Sequence, residues 1–331
     1  MSGAARGRDD APATAALAPA PARAIPRGVG VALLLLIAAT FGSNHVAARL
    51  AFDHGVSVQT AVAFRSVATS LFVAALLRAS GARFSLPAPT LARGLGLGLL
   101  VTVQSGCLYS AVARIPVALA LLVFNTFPVL LALLSWASGG ERPVRRVWVA
   151  MPIALAGLAL ALDVAGMAGF GGAGSGGTGA GAGGASSGGA MGEGVAYAFG
   201  ASVAFATVLH LTTRWLGEVD GRLRTLMLMS VVSAVTLVAG AVRGGFALPA
   251  DATGWVGLGL LTVLYSTAIT AFFVVLPRLG AVNNAAIMNF EPIAALGMGW
   301  IVLGQVIAPV QVAGALVVIG AIVLLTTGKR A

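Results

Sequence analysis

Ten apolar runs, each of a length close to that of a lipid bilayer, dominate the sequence. The first five cover residues 29–51, 58–78, 91–113, 116–137 and 147–164, and the second five cover residues 192–214, 224–242, 254–276, 281–302 and 308–327. A membrane-spanning helix needs about 20 apolar residues. Backbone groups in lipid must be paired within the protein, and the ten-residue alternation of a β-barrel is absent from these runs. We therefore predict an all-α membrane protein with ten transmembrane helices.

The composition excludes an ordinary soluble domain. Only 9% of the residues are charged and 58% are hydrophobic, whereas soluble domains are about 25% charged. The net charge of +10 comes from arginines that stand singly or in small groups between apolar runs, so we expect no nucleic-acid partner.

Cofactor and metal motifs are also missing from the sequence. The single cysteine, Cys107, allows neither an intrachain disulfide nor a cysteine metal cluster. A P-loop needs a lysine beside its glycine-rich turn, and the one lysine is Lys329 near the C-terminus. We expect no cofactor, no metal and no ATPase activity. Any solute that the chain moves across the membrane would then move down a gradient, either coupled to protons or uncoupled.

The segments outside the runs divide the chain into domains. Residues 1–27 are rich in Ala, Pro and Arg and are predicted to be a disordered cytoplasmic tail. Residues 165–190 are mostly Gly, Ala and Ser and are predicted to be a flexible linker. The linker separates a first five-helix repeat at 29–164 from a second at 191–327, and residues 328–331 form a short cytoplasmic tail.

The basic residues predict the orientation, because cytoplasmic loops retain Lys and Arg. With the N-terminus inside, 16 of the 20 basic residues lie on the cytoplasmic side. Arg49, Arg114 and Arg243 lie outside, and Arg65 lies within the second run. We therefore expect a multi-pass protein of the cell inner membrane with both termini in the cytoplasm.

An internal repeat relates the two halves. A shift of 164 positions aligns Arg114 with Arg278, Asn125 with Asn289, Pro128 with Pro292, Trp136 with Trp300 and Gly140 with Gly304. Since each half has five spans, the second copy must enter the membrane in the opposite sense. Inverted repeats of this kind commonly hold a binding site near the membrane midplane and expose it to each side in turn.

Several short motifs lie in a characteristic order along the two halves. They are Gly42-Ser43-Asn44 with Ala47-Ala48-Arg49, Phe64-Arg65, Pro128 to Gly140-Glu141, Glu291-Pro292, Gly304, Gln311 to Gly314 and Gly320. In these residues the chain resembles the EamA branch of the drug/metabolite transporter (DMT) superfamily. Gln305 departs from the pattern, since an acidic residue is usual there. The resemblance implies a basket of ten helices around a central cavity, and secondary transport of amino acids, related metabolites or drugs.

Two charged side chains within the runs are the main candidates for a binding site. Charges are costly in a bilayer and usually face protein or water. We hypothesise that Arg65 and Glu291 share one cavity, where Arg65 binds a substrate carboxylate or phosphate and Glu291 binds an amine or a proton. The structural alternatives are that Arg65 bonds to helix carbonyls or reaches the interface, and that Glu291 caps the helix break before Pro292.

Uncharged polar groups complete the candidate site. Amides can bind polar substrates without the cost of a buried charge, or they can join helices. The substrate-binding candidates of this kind are Asn44, Tyr109, Asn125, Asn283, Asn284 and Asn289. His45 and His210 are, with Glu291, candidates for proton coupling, although a lone histidine is more often structural.

The sequence as a whole favours a transporter that exports a small metabolite by alternating access, and not an enzyme. Export is preferred over import only because of the family resemblance. Two alternatives stay open, a lipid-head-group flippase and an intramembrane enzyme acting on a lipid-linked substrate. The expected partners are a small-molecule substrate and the lipid bilayer, and the sequence leaves open whether the chain forms a homodimer.

Overall fold

The first half of the chain folds into helices that match the first five runs. A computed structural model describes residues 25–81, 86–112, 114–115, 117–140, 143–162, 188–242, 245–303 and 307–326. The helices of the first half are α1 (Arg27–Asp53), α2 (Val58–Ala79), α3 (Ala88–Val112), α4 (Val117–Phe124), α5 (Phe127–Ala137) and α6 (Arg145–Ala161). The helices α4 and α5 together form the fourth span.

The second half repeats this arrangement. Its helices are α7 (Gly188–Trp215), α8 (Gly221–Val242), α9 (Ala252–Leu279), α10 (Ala281–Asn284), α11 (Glu291–Leu303) and α12 (Pro309–Thr326), with a 3₁₀ helix at Ala285–Phe290. The ninth span consists of α10, the 3₁₀ helix and α11. The helix α7 begins within the predicted linker, since residues 188–190 are helical.

The predicted fold class is confirmed. Eight helical segments among the described residues are long and apolar enough to cross a membrane, and α6 and α12 supply the other two spans. At 17 residues, α6 lies at the short end of the range for such helices. Most of the predicted terminal tails and linker, at residues 1–24, 163–187 and 327–331, lie outside the described residues.

Contacts between the halves obey one two-fold rule. The helix α1 packs against α9, and its counterpart α7 packs against α3. In the same way the contact of α1 with α11 matches that of α7 with α5, while α2 packs on α8 and α6 packs on α12. These contacts between the halves therefore have mates when the halves are exchanged, as an inverted repeat requires.

Glycines allow α1 to lie close to the second half. A Cβ atom on Gly42 would lie 2.6 Å from the carbonyl oxygen of Glu291 and 2.7 Å from the backbone nitrogen of Ala295. A Cβ atom on Gly257 of α9 would lie 2.7 Å from the backbone nitrogen of Ala51. Small residues at such crossings are what brings helices together in lipid.

The fourth and ninth spans break at equivalent places, just before Pro128 and Pro292. In the fourth span, Asn125 Nδ2 donates to the carbonyl oxygen of Leu121 at 2.8 Å, and the Thr126 hydroxyl donates to that of Val123 at 2.7 Å. The carbonyl oxygens of Leu121 and Val123 also accept the backbone amides of Asn125 and Thr126, so the two side chains add second bonds at the end of α4. The ninth span instead passes through its 3₁₀ helix before α11 starts at Glu291.

Candidate transport site

Arg65 lies between two tyrosine rings in the linker-side half of the bundle, where the linker side is the end at which α6 finishes and α7 begins. Its guanidinium carbon is 4.1 Å from the ring centre of Tyr265 on α9 and 5.3 Å from that of Tyr109 on α3. The side chain is only 8% exposed. No ion pair is formed by Arg65 within the described part of the chain. The positive charge is thus stabilised by ring faces and has no acidic partner there.

His45 and Glu291 form a close pair between α1 and α11. Nε2 of His45 lies 2.6 Å from Oε1 of Glu291, and the two side chains are 34% and 18% exposed. Glu291 is the first residue of α11, where a negative charge is favoured by the helix dipole. The pair therefore joins the first half to the break in the ninth span.

Arg65 and Glu291, for which one shared cavity was hypothesised, have separate contacts in the structure. These two side chains do not pair with each other. Their sites are neighbours through α1, because Phe41 packs against Tyr265 with ring centres 6.1 Å apart, and His45 lies one helical turn further along the same face. Arg65 and Glu291 thus occupy two adjoining polar clusters.

The asparagine candidates fall into separate environments. Asn284 donates to the carbonyl oxygens of Leu279 and Gly280 at 2.8 and 3.0 Å, so it closes the turn between α9 and α10. Asn44 and Asn289 are 2% and 1% exposed, and the side-chain oxygen of each has no hydrogen-bond partner. Asn125 uses its amide nitrogen at the fourth-span break. Asn283 belongs to α10, and its side chain lies outside the described part of the structure.

An aromatic layer crosses the middle of the bundle. Phe205 of α7 lies 4.9 Å from Phe127 of α5 and 6.0 Å from Phe272 of α9, measured between ring centres. Phe272 in turn lies 6.2 Å from Phe41. We call Phe41, Phe127, Phe205 and Phe272 the aromatic layer. Through Phe41, which packs on Tyr265, the layer contacts the surroundings of Arg65. Through Phe127 and Phe205 it reaches α5 and α7.

A cavity of about 450 Å³ opens at the other end of the bundle. We call this end the termini side, since α1 begins and α12 ends there. The cavity, here called the vestibule, lies between the ends of α5, α7 and α9 and the start of α10. Its polar lining residues are Ser135, Ser138, His210, Thr213 and Arg214. Nε2 of His210 lies 3.1 Å from the Ser138 hydroxyl.

The linker side is closed by contacts between loops. The amide of Ser57 donates to the carbonyl oxygen of Ala247 at 3.3 Å, and the amide of Ala250 donates to that of His54 at 2.9 Å. Nδ1 of His54 lies 2.7 Å from Oδ2 of Asp251. The hydrogen bond from the Gly254 amide, followed by the contact with His54, lowers the pKa of Asp251 below its ordinary value. Among the described residues, a cavity thus opens on the termini side, and loop contacts join the two halves on the linker side.

Comparison with known families decides the kind of protein. The family model of the EamA-like transporter family matches residues 28–162 and 192–327, one match in each half. The chain belongs to the EamA-like transporter family. It is therefore a multi-pass membrane transporter of the DMT superfamily.

A solved structure supports the EamA-like fold. A chain titled "Crystal structure of protein" superposes with a TM-score of 0.71 at 15% sequence identity, and the match covers 91% of this chain and 98% of that one. No curated protein matches the sequence.

Two features of this EamA-like site were not predicted from the sequence. Tyr265, which contacts Arg65 most closely, was not among the candidates, although it is one of only 3 tyrosines in the chain and lies within an apolar run. The pairing of His45 with Glu291 was also not predicted, although both residues were. A single sequence carries no signal for which faces of two distant helices meet.

Proposed function

We propose that this protein is a secondary transporter that exports a small metabolite, such as an amino acid, a related compound or a drug, by alternating access across the inner membrane. The observation that carries the proposal is the asymmetry between the two ends of the bundle. The vestibule opens between helices of both halves on the termini side, while loop contacts close the linker side.

The inverted repeat explains how the protein reaches the opposite state. The helices α5 and α7 line the vestibule, and their counterparts α11 and α1 are held together by the His45–Glu291 pair and the close contact at Gly42. In the opposite state α5 and α7 pack as α11 and α1 do here, which closes the vestibule. The helices α11 and α1 then separate as α5 and α7 do here, which opens the linker side. Because arginines cluster in the loops of the termini side, that side is the cytoplasm and the structure is inward-facing.

The two polar clusters take different parts in transport. Arg65 binds an acidic group of the substrate, since its guanidinium has no acidic partner among the described residues and guanidinium matches carboxylate and phosphate geometry. Glu291 carries the coupling proton. A proton bound to Glu291 removes the charge that holds His45, and this weakens the contact between α1 and α11.

Flux measurements on the purified protein in proteoliposomes test the proposal. A panel of labelled amino acids, carboxylates, amines and drugs is loaded, and a pH gradient is imposed. We expect at least one compound to be accumulated against its gradient. In Glu291→Gln, substrate exchange at equal pH should persist while proton-driven accumulation is lost.

Two results would contradict the proposal at different levels. Absence of flux for every compound on the panel would remove the support for small-metabolite transport. Proton-driven accumulation at the wild-type rate in Glu291→Gln would leave transport in place but exclude Glu291 as the proton carrier. Turnover of a lipid-linked substrate in detergent, lost in Glu291→Gln, would favour the enzymatic alternative.

A further inference from the structure

The vestibule has a lining of one charge sign. His210 and Arg214 lie one helical turn apart on α7 and both border the cavity, and no acidic side chain borders it among the described residues. Glu141 follows Gly140 in the sequence and lies outside the described residues.

Arg214 uses little of its hydrogen-bonding capacity. Within the described part of the chain its one bond runs from Nη1 to the carbonyl oxygen of Ser138 at 3.4 Å, which is long for such a bond. Arg222, on the same side of the bundle, gives a contrast. Its Nη2 and Nε donate to the Asp220 carboxylate at 2.9 and 3.1 Å, and the bond to Arg222 lowers the pKa of Asp220. Arg222 is thus neutralised, whereas Arg214 retains donors that can reach the cavity.

One face of α5 connects the vestibule to the aromatic layer. Leu131 and Ser135 line the cavity, and Phe127 lies one turn before Leu131 on the same face. Arg65 lies beyond this layer, in contact with Tyr265. Two arginines that have no acidic partner in the described structure therefore lie on opposite sides of the aromatic layer.

We propose that the vestibule is a loading site for small organic carboxylates, with Arg214 as the group that binds the carboxylate and His210 and Ser138 beside it. This inference rests on the proposed transport function and assigns its substrate class, an organic anion that passes from Arg214 to Arg65. A cavity of about 450 Å³ is within the usual size range for a small-ligand pocket, about 300–1,000 Å³. Carboxylate binding at a guanidinium is strengthened where water is partly excluded.

Thiol chemistry tests the site independently of transport. Thr213 borders the vestibule, and its hydroxyl bonds only to carbonyls of its own helix, so Thr213→Cys is placed in a Cys107→Ala background. The reaction rates of an anionic and a cationic methanethiosulfonate of similar size are measured in inside-out membrane vesicles. The charge ratio is the rate of the anionic reagent divided by that of the cationic reagent. A charge ratio higher than that of a free thiol in solution indicates a positive local charge.

We expect the charge ratio at Cys-substituted position 213 to exceed that of the free thiol. It should fall about tenfold in Arg214→Gln, as expected for loss of one charge near the reacting atom. Arg214→Lys should keep most of it, and Arg222→Gln, which removes an arginine paired with Asp220, should leave it unchanged. Benzoate should slow the reaction in the Thr213→Cys protein, and benzylamine should not.

Three outcomes would overturn the loading site. They are a ratio at or below the free-thiol value, equal losses in Arg214→Gln and Arg222→Gln, and equal protection by benzoate and benzylamine. The first of these would also be the result if Glu141 neutralised Arg214. None of them depends on transport, so a failed flux panel and a failed loading site are told apart.

Discussion

Arg65 and Arg224 are two buried arginines that use their guanidinium groups in different ways. Arg224 is 3% exposed and donates to the carbonyl oxygens of Leu216 and Phe273 at 3.2 and 2.5 Å, so it ties the end of α7 to α9. Arg65 instead lies against tyrosine rings and makes no such bond to a carbonyl of any described residue. Burial alone thus does not distinguish the two arginines, whereas the groups that contact their guanidinium groups do.

Substitution of Arg65 should separate charge from shape. We expect Arg65→Ala to abolish flux and Arg65→Lys to retain it with a KM raised about tenfold, because an ammonium lacks the planar fork and the ring stacking of a guanidinium. The measurement is initial flux in proteoliposomes at matched protein content. Arg224→Lys is the control, which should lower thermal stability with little change in KM. Wild-type flux in Arg65→Ala would exclude Arg65 from the mechanism.

The sequence singled out the charged residues of the proposed site but not the residues that contact them. Arg65 and Glu291 stand out because a charge within an apolar run is rare and costly. Tyr265 and His45 come from other spans, and their contacts depend on the rotation of each helix about its axis. These helices carry apolar residues on nearly all of their faces, so the periodicity of the sequence does not specify how each helix is rotated.

At the scale of the helices, most boundaries followed from the sequence. The bilayer demands a minimum length of apolar helix, so the ends of the runs and the ends of the helices lie within a few residues of each other. Both span-breaking prolines, Pro128 and Pro292, also mark real breaks. The 3₁₀ geometry of Ala285–Phe290 was not predicted, since it depends on packing against α1 and α6.

The N-cap of α9 gives the bundle a pH-dependent contact outside the membrane. Because the pKa of Asp251 is lowered in the folded protein, its contribution to stability is present above the ordinary aspartate pKa and is lost as the pH falls through the lowered value. We expect Asp251→Asn to reduce the Tm at pH 7, with the difference from wild type shrinking below about pH 4. Thermal unfolding in detergent across this pH range measures it.

Asp53 provides the matched control for this experiment. It lies on the same side of the bundle and pairs with Arg49 in an exposed contact at 2.9 Å within α1. Such exposed pairs contribute little to stability, so Asp53→Asn should leave the Tm nearly unchanged at every pH. A Tm difference for Asp251→Asn that stays constant from pH 7 to pH 3 would show that the carboxylate charge is not what stabilises the cap.

For the whole molecule, the inverted repeat organises both the fold and the proposed transport. Its signal in the sequence is a set of aligned pairs such as Asn125 with Asn289, and the structure adds the two-fold matching of helix contacts. The chemistry of the halves has nevertheless diverged. The counterparts of His45 and Glu291 under the same shift are Leu209 and Phe127, both in the hydrophobic core. Of two equivalent contacts between the halves, one therefore carries the polar pair and the other is apolar.

Labelling of the glycine-rich linker tests the inverted arrangement most directly. Single cysteines replace Ser186 in the linker or Ser2 near the N-terminus in a Cys107→Ala background, and intact cells are treated with a membrane-impermeant maleimide. We expect the cysteine at 186 to react in intact cells and the cysteine at 2 to react only after the inner membrane is permeabilised. Reaction of both cysteines from the same side would contradict five spans per half, and with them the alternating-access account.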